Sequence, residues 1–78
     1  MEHTYKPHDV SKRIKIRAKQ QNKALGQMLI DCSLGKNTIA NIKAGTDVSI
    51  WSFTRIADYL DCSTDYLLGR TDNPEINR

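Results

Sequence analysis

Lys36, Asn37, Thr38, Asn41 and Lys43 form a cluster of hydrogen-bonding side chains within residues 36–43. An asparagine amide can form a pair of hydrogen bonds with the edge of adenine, and a lysine ammonium can donate to guanine. Both contacts are made in the major groove of DNA, so they require side chains that project from one side of a rigid element. Solvent-facing Lys and Asn are common on short helices, however, and these residue types alone identify nothing.

Apolar residues at helical spacing on either side of a short turn predict two short helices around this cluster. We expect them at about 25–32 and 36–43, joined by Ser33-Leu34-Gly35, with Gly35 as an acceptable cap for the second. Two helices joined so tightly form a helix-turn-helix, whose second helix can enter the major groove. The apolar positions that support this prediction are Leu25, Met28, Leu29, Cys32, Ile39 and Ile42.

Three further helices are predicted outside this pair. The first spans about 10–21, capped by Asp9, and the fourth about 50–60, capped by Ser49. A short fifth helix at 65–68 is capped by Ser63 and ended by Gly69. Gly45 suits a left-handed turn at the end of the third helix. In the first helix the residues that share one weakly apolar face are Val10, Ile14, Ala18 and Gln21, and in the fourth the predicted core positions are Ile50, Phe53, Ile56, Ala57 and Leu60. The predicted fold class is all-α, a compact domain of five helices.

The length and hydropathy of the chain limit its organisation. Its 78 residues fit one small domain, which we divide into an N-terminal arm at 1–8, a helical domain at 9–69 and a tail at 70–78. The N-terminal residues are polar, and no apolar run approaches the length that spans a membrane. The sequence therefore predicts a soluble, cytoplasmic protein.

Positive charge is concentrated in the first part of the chain. Residues 1–45 contain nine Lys/Arg and three Asp/Glu, whereas residues 46–78 contain three and six. A basic half beside an acidic half suits a polyanion bound on one side. Charge alone leaves a second interpretation equally open, in which both halves are ordinary solvated helix faces.

No pattern in the chain predicts a metal, a cofactor or a catalytic site. Cys32 and Cys62 lack the doubled spacing of a zinc site, and their apolar surroundings favour buried, reduced thiols. A metal role for His3 and His8, both in the polar arm, has little support. The sequence has no Ser/His/Asp set, paired carboxylates or phosphate-binding glycine loop, so we do not expect an enzyme.

Three motifs in the right order make the chain resemble a known family of regulators. They are Gln27-Met-Leu through to Lys43, Ile56-Ala-Asp-Tyr-Leu60, and Ser63-Thr-Asp-Tyr-Leu-Leu-Gly69. Over Val10–Gly69 the sequence resembles the lambda-repressor-like domains of the Cro/repressor type, the Xre family. It is most similar to small regulators of Firmicutes and phages.

The resemblance implies a role for individual residues of this chain. Base contacts would come from Lys36, Asn37, Ala40 and Asn41 on the third helix. Contacts to the DNA backbone would come from Gly35, Thr38, Lys43 and Thr46. A dimer interface would involve Thr64, Tyr66 and Leu67, with Trp51 and Tyr59 nearby. Ser33 replaces a usual glycine in a turn that prefers positive φ, so some backbone strain is expected there.

Trp51 shares the face of the fourth helix that the core pattern leaves exposed, together with Arg55 and Asp58. An exposed tryptophan suggests an interface, because aromatic side chains are enriched in contact cores. The alternative is an indole that lies flat on the surface of its own domain.

Two or three base-contacting side chains on one short helix cannot give useful sequence specificity alone, so we expect the protein to bind two half-sites. The sequence therefore predicts a transcriptional regulator, a repressor that binds a palindromic double-stranded DNA operator as a homodimer. The alternative is a DNA-binding antitoxin or accessory protein that acts mainly through a protein partner. Trp51 and the tail would then contact that partner.

Overall fold

The computed structural model describes residues 6–46 and 48–76. Its described residues form five α-helices and no strand, which confirms the predicted all-α class. The helices are α1 (Pro7–Gln20), α2 (Leu25–Asp31), α3 (Thr38–Lys43), α4 (Ile50–Tyr59) and α5 (Thr64–Leu67). Within these residues, no helix has the length and hydropathy needed to cross a membrane.

The first helix begins earlier than predicted. Pro7 occupies the start of α1, where its missing N–H costs nothing and its fixed φ suits the helix. Asp9 lies inside the first turn and is not the cap, and Lys6 at the cap position makes no side-chain capping bond. The predicted arm therefore loses residues 7 and 8 to the helix; of the rest, Lys6 is the cap residue and residues 1–5 lie outside the described residues.

The core is formed by one stripe from each helix. Val10, Ile14 and Ala18 are buried on α1, as the 3.6-residue period predicted. α1 packs against α3 and α5, and α4 packs against α5. The remaining buried apolar side chains are Met28, Leu29, Cys32, Ile42, Ile56, Ala57, Leu60, Cys62, Tyr66 and Leu67.

Two predicted core positions are less buried than expected. Ile50 is 73% exposed, so its assignment to the core is wrong. It is the first residue of α4, and among the described residues it remains largely uncovered. Phe53 is only partly buried against the core cluster.

Local capping signals place the last two helices. The Ser49 hydroxyl accepts a hydrogen bond from the Ser52 amide, and the Ser63 hydroxyl accepts one from the Tyr66 amide. Both caps were predicted, and each satisfies an amide that would otherwise lack a partner. α5 is displaced by one residue from the predicted 65–68.

Two arginines of α1 hold the C-terminal half of the domain. The Arg17 guanidinium donates to the backbone oxygens of Leu60 (3.0 Å) and Asp61 (2.8 Å), which lie just beyond α4. Arg13 donates to the oxygen of Thr71 at 2.8 Å and to the carboxylate of Asp72 at 2.6 Å. These two positive charges are used inside the chain, so they are poor candidates for binding an external polyanion.

Candidate nucleic-acid interface

The turn between α2 and α3 is fixed by a left-handed residue. Ser33 has φ 59°, as the sequence predicted for this position. The amide of Ser33 donates to the Ile30 oxygen at 3.0 Å, and the amide of Leu34 donates to the Leu29 oxygen at 2.8 Å. These bonds close the end of α2 in the manner of a left-handed C-cap. The chain therefore turns sharply between α2 and α3, and α3 packs against α1.

The third helix begins two residues later than predicted. Its cap position is Asn37 rather than Gly35, and the Asn37 side chain makes no capping bond. Instead the Thr38 hydroxyl donates to the Gly35 oxygen at 2.7 Å, which stabilises the turn before the helix. Lys36 and Asn37 therefore precede α3, although the Asn37 oxygen accepts the helical bond from the Asn41 amide at 2.9 Å.

All four predicted base-contact residues lie on the outer side of this element. Lys36, Asn37, Ala40 and Asn41 are exposed, whereas Ile42 is buried on the opposite side. At 100° per residue, Ala40 and Asn41 are neighbours on the outer side of α3, and Asn37 at the cap position lies one turn before Asn41, to which it is joined by the first helical hydrogen bond. Short Ala40 stands among longer polar side chains, so a ligand can approach the helix backbone closely at that point.

The polar groups of this outer side are not used within the described chain. Among residues 6–46 and 48–76, no hydrogen bond or ion pair involves the side chains of Lys36, Asn37 or Asn41. The sequence also has no acidic residue from position 32 to position 46. The surface therefore presents donors, acceptors and positive charge with no internal competitor.

The predicted backbone-contact residues flank this surface unevenly. Gly35, Lys43 and Thr46 are exposed, so each is free to approach a phosphate. Thr38 is half-buried and its hydroxyl is already donating to Gly35, so it is the weakest of the four.

Sequence reasoning missed one cation at the far end of α3. Gly45, with φ 83°, turns the chain there, and a Cβ built on it would lie 3.3 Å from Cγ of Pro7. The start of α1 therefore packs against the end of α3, which places the exposed Lys6 on the same end of the domain as Thr46. No local signal links residues so far apart in sequence, and only the tertiary contact shows it.

The residues predicted for a dimer interface do not share one surface. Trp51 is 73% exposed, as predicted, and Thr64 is half-buried at the start of α5. Leu67 is 0% exposed and Tyr66 only 7% exposed, because both pack into the core. In this conformation Leu67 therefore offers no side-chain surface to a partner and Tyr66 very little, while the dimer interface itself stays a prediction.

Tyr59, the fifth predicted interface residue, joins α4 to α2 within the chain. Its hydroxyl donates to the Asp31 carboxylate at 2.7 Å, and Gln27 donates to the same carboxylate at 2.8 Å. The Lys23 ammonium lies 4.2 Å from the centre of the Tyr59 ring and donates to the backbone oxygen of Tyr59 at 2.9 Å. This cluster fixes α2, and through the turn α3, relative to α4.

Removal of the Tyr59 hydroxyl should be visible in the titration of Asp31. The hydrogen bond from Tyr59, followed by that from Gln27, lowers the pKa of Asp31 below its ordinary value. The ionised carboxylate therefore stabilises the fold above the unfolded-state pKa, and this contribution disappears as pH falls through the lowered folded-state value. In Tyr59→Phe we expect the pKa of Asp31 to rise, measured by NMR of its carboxyl carbon. Gln27→Ala is the control and should raise it less; an unchanged pKa in Tyr59→Phe would show that the bond is not made in solution.

The cysteines are buried and unpaired, as predicted. Cys32 and Cys62 are both free thiols inside the domain, and burial raises the pKa of each. A raised pKa keeps a thiol protonated and unreactive. Across the part of the chain that the structure describes, no three His, Cys, Asp or Glu side chains are grouped to hold a metal ion.

Comparison with known proteins identifies no relative: no family model, curated protein or solved structure matches this chain. The resemblance to Cro/repressor-type regulators therefore stays a prediction from the residues.

Proposed function

We propose that this chain is a sequence-specific double-stranded DNA-binding regulator of transcription that works in the cytoplasm. The observation that carries the proposal is the outer side of α3 and of the turn before it, where Lys36, Asn37 and Asn41 are exposed and their side chains make no hydrogen bond to any other described residue. α2 and the turn hold this side away from the domain, and α3 is the element that enters the major groove. Repression follows if the bound protein covers a promoter.

A solvated helix face is the main alternative to a DNA surface. Ordinary solvated faces of small proteins mix charges of both signs, whereas residues 32–46 contain two lysines and no acid. The exposed polar groups also surround the small Ala40, which leaves room for base edges. The arrangement is what close approach to a polyanion requires.

One copy of α3 offers too few base contacts for useful specificity. Each good paired contact discriminates by about 1–3 kcal/mol, so two copies on two half-sites are needed to separate a target from the rest of a genome. We therefore propose a homodimer on a palindromic site, with half-sites about one helical turn apart. Exposed Trp51 and half-buried Tyr59 and Thr64 are the predicted interface residues that remain accessible for it.

Selection of bound duplexes from a random pool, at a stated salt concentration, tests the proposal directly. We expect an enriched sequence, and Asn37→Ala should then lose about 1–3 kcal/mol at that sequence and relax the base preference at one position. An equal loss of binding free energy on every duplex would show that Asn37 does not contact a base. The absence of any preference in the wild-type protein would contradict the function itself.

Lys43→Ala should act on all sequences alike. Lys43 is exposed at the end of α3, and we propose that it contacts a phosphate. Its loss should therefore reduce the salt slope, which is the slope of log K for DNA binding against log salt concentration, by about one per contact. The slope is measured by fluorescence anisotropy over a range of salt concentrations. Lys19→Ala is the matched control, because Lys19 is exposed in the last turn of α1, whereas the end of α3 packs against the first turn of α1, so this change should leave the slope unchanged. A slope that Lys43→Ala does not alter would exclude this phosphate contact.

A protein partner is the second candidate function, and one observation favours it. Ile50 and Trp51 are neighbours at the start of α4, and both are 73% exposed. Two large apolar side chains side by side in solvent are typical of a contact surface. In an antitoxin or accessory protein this pair would bind the partner. A second chain that co-purifies with the wild-type protein but not with Trp51→Ala would support this role.

A further inference from the structure

We propose that Asn41 and Ala40 read one A·T base pair together, Asn41 the adenine and Ala40 the methyl group of the paired thymine, and that Asn37 reads a second adenine. This inference rests on the proposed function and specifies the DNA that it binds. It follows from the chemistry and the placement of three exposed side chains at the outer side of α3.

Asn41 has the chemistry and the freedom to contact adenine. A carboxamide has one acceptor and two donors, and it matches the N7 acceptor and the N6 donor that adenine presents in the major groove. Asn41 is exposed, and its side chain has no hydrogen bond among the described residues. Its backbone amide is fixed by the bond to the Asn37 oxygen at 2.9 Å, so the side chain starts from a rigid position.

Ala40 is placed for the other half of the same base pair. Consecutive residues of a helix are only about 1.5 Å apart along the axis but about 100° apart around it. When the helix lies in a groove, the side chains of Asn41 and Ala40 are therefore at nearly the same height along the helix axis but point in different directions, so both can contact one base pair. The thymine of an A·T pair presents a methyl group there, and an alanine methyl is the side chain that contacts it without displacing the helix.

Asn37 is placed to contact a second adenine, about one helical turn from Asn41. It precedes Asn41 by four residues, which is about 6 Å along a helix axis. Stacked base pairs are about 3.4 Å apart, so the two amides reach base pairs that are about two steps apart at most. Asn37 is exposed at the cap position, and its side chain makes no capping bond. The half-site should therefore contain two nearby A·T pairs.

Modified bases in the selected duplex test the inference atom by atom. Each adenine of the selected half-site is replaced in turn by 7-deazaadenine, which lacks the N7 acceptor but pairs normally. At the adenine that Asn41 reads, wild-type binding should weaken by about 5-fold to 150-fold. Asn41→Ala should bind the normal and the modified duplex equally. An equal loss in both proteins would overturn the assignment of Asn41.

Replacement of the paired thymine by uracil removes only the methyl group. Wild-type binding should weaken by about fourfold, the value of one buried methyl-sized group, and Ala40→Gly should show no difference between the two duplexes. Each test is a ratio within one protein, so a change in the folded fraction of a variant cancels. An equal loss in Ala40→Gly would overturn the contact to Ala40.

The failure of this inference can be told apart from the failure of the proposed function. A protein that selects a sequence but shows no effect of either modified base still recognises DNA, and only the assigned contacts are wrong. A protein that selects nothing from the random pool contradicts both. A half-site without an A·T pair also overturns the inference while the function stands.

Discussion

Leu67→Ala should lower the free energy of unfolding by about 2–5 kcal/mol, the range for a large-to-small change at a closed core position. Leu67 is 0% exposed and lies in the same cluster as Ile14, Ile56 and Leu60, so its removal leaves a cavity in the centre of the domain. A domain of this length has only a few kcal/mol of stability, so the variant should be largely unfolded near 37 °C. Urea denaturation followed by circular dichroism measures the loss.

The same variant separates a core role from an interface role. If Leu67 acts in the core, the loss is the same at low and high protein concentration, because no association is involved. If it acted at a dimer interface, the loss would grow or shrink with protein concentration. Trp51→Ala is the matched control, since it also removes a large apolar side chain but from a position that is 73% exposed. That control should change the monomer stability by less than about 0.5 kcal/mol.

The parts of the fold that sequence predicted correctly depend on local signals. Ser49 and Ser63 cap their helices because a hydroxyl at that position satisfies an amide of the first turn, whatever the rest of the chain does. Ser33 and Gly45 take positive φ because the chain must turn sharply after a helix. Such signals act within a few residues, so a sequence displays them directly.

The errors come from contacts between distant parts of the chain. The helical period correctly placed Ile50 on the apolar side of α4, yet nothing in the sequence shows that no other element covers it. The burial of Leu67 has the same origin: α5 is four residues long, and its environment is set entirely by its neighbours. In the sequence Arg17 is only one of nine Lys/Arg in residues 1–45, and the fold alone shows that it donates to two backbone oxygens just beyond α4.

The candidate site shows both kinds of result. The exposure of Asn37, Ala40 and Asn41 follows from the spacing of the buried Ile42 and the half-buried Ile39, which the sequence contains. The cluster of Tyr59 and Asp31 does not follow, because the two residues are 28 positions apart and on different helices. Sequence therefore identified which side chains of the candidate site are exposed, but not the contacts that hold α2 against α4.

Gly45→Val should destabilise the domain by about 2–3 kcal/mol, and the contact with Pro7 should account for part of the loss. Gly45 has φ 83°, a conformation that costs a non-glycine residue about 1–3 kcal/mol and is worst for β-branched side chains. A Cβ there would also lie 3.3 Å from Cγ of Pro7, so the start of α1 must move. Chemical denaturation gives the loss, and Gly69→Val is the matched control, because Gly69 has φ 82° and no atom within 4 Å of a built Cβ.

The two contributions separate in a double-mutant cycle with Pro7→Ala. Pro7→Ala in the Gly45→Val background should recover the contact part of the loss and leave the backbone strain, so the double variant should approach the cost of Gly69→Val. The crowding would otherwise displace Thr46 and Lys6, which lie at this end of the domain. DNA binding by Gly45→Val should therefore show a reduced salt slope that Pro7→Ala restores, whereas Gly69→Val should bind with the wild-type slope. Equal losses of stability at Gly45 and Gly69, with no recovery in the double variant, would mean that the start of α1 does not press on the end of α3.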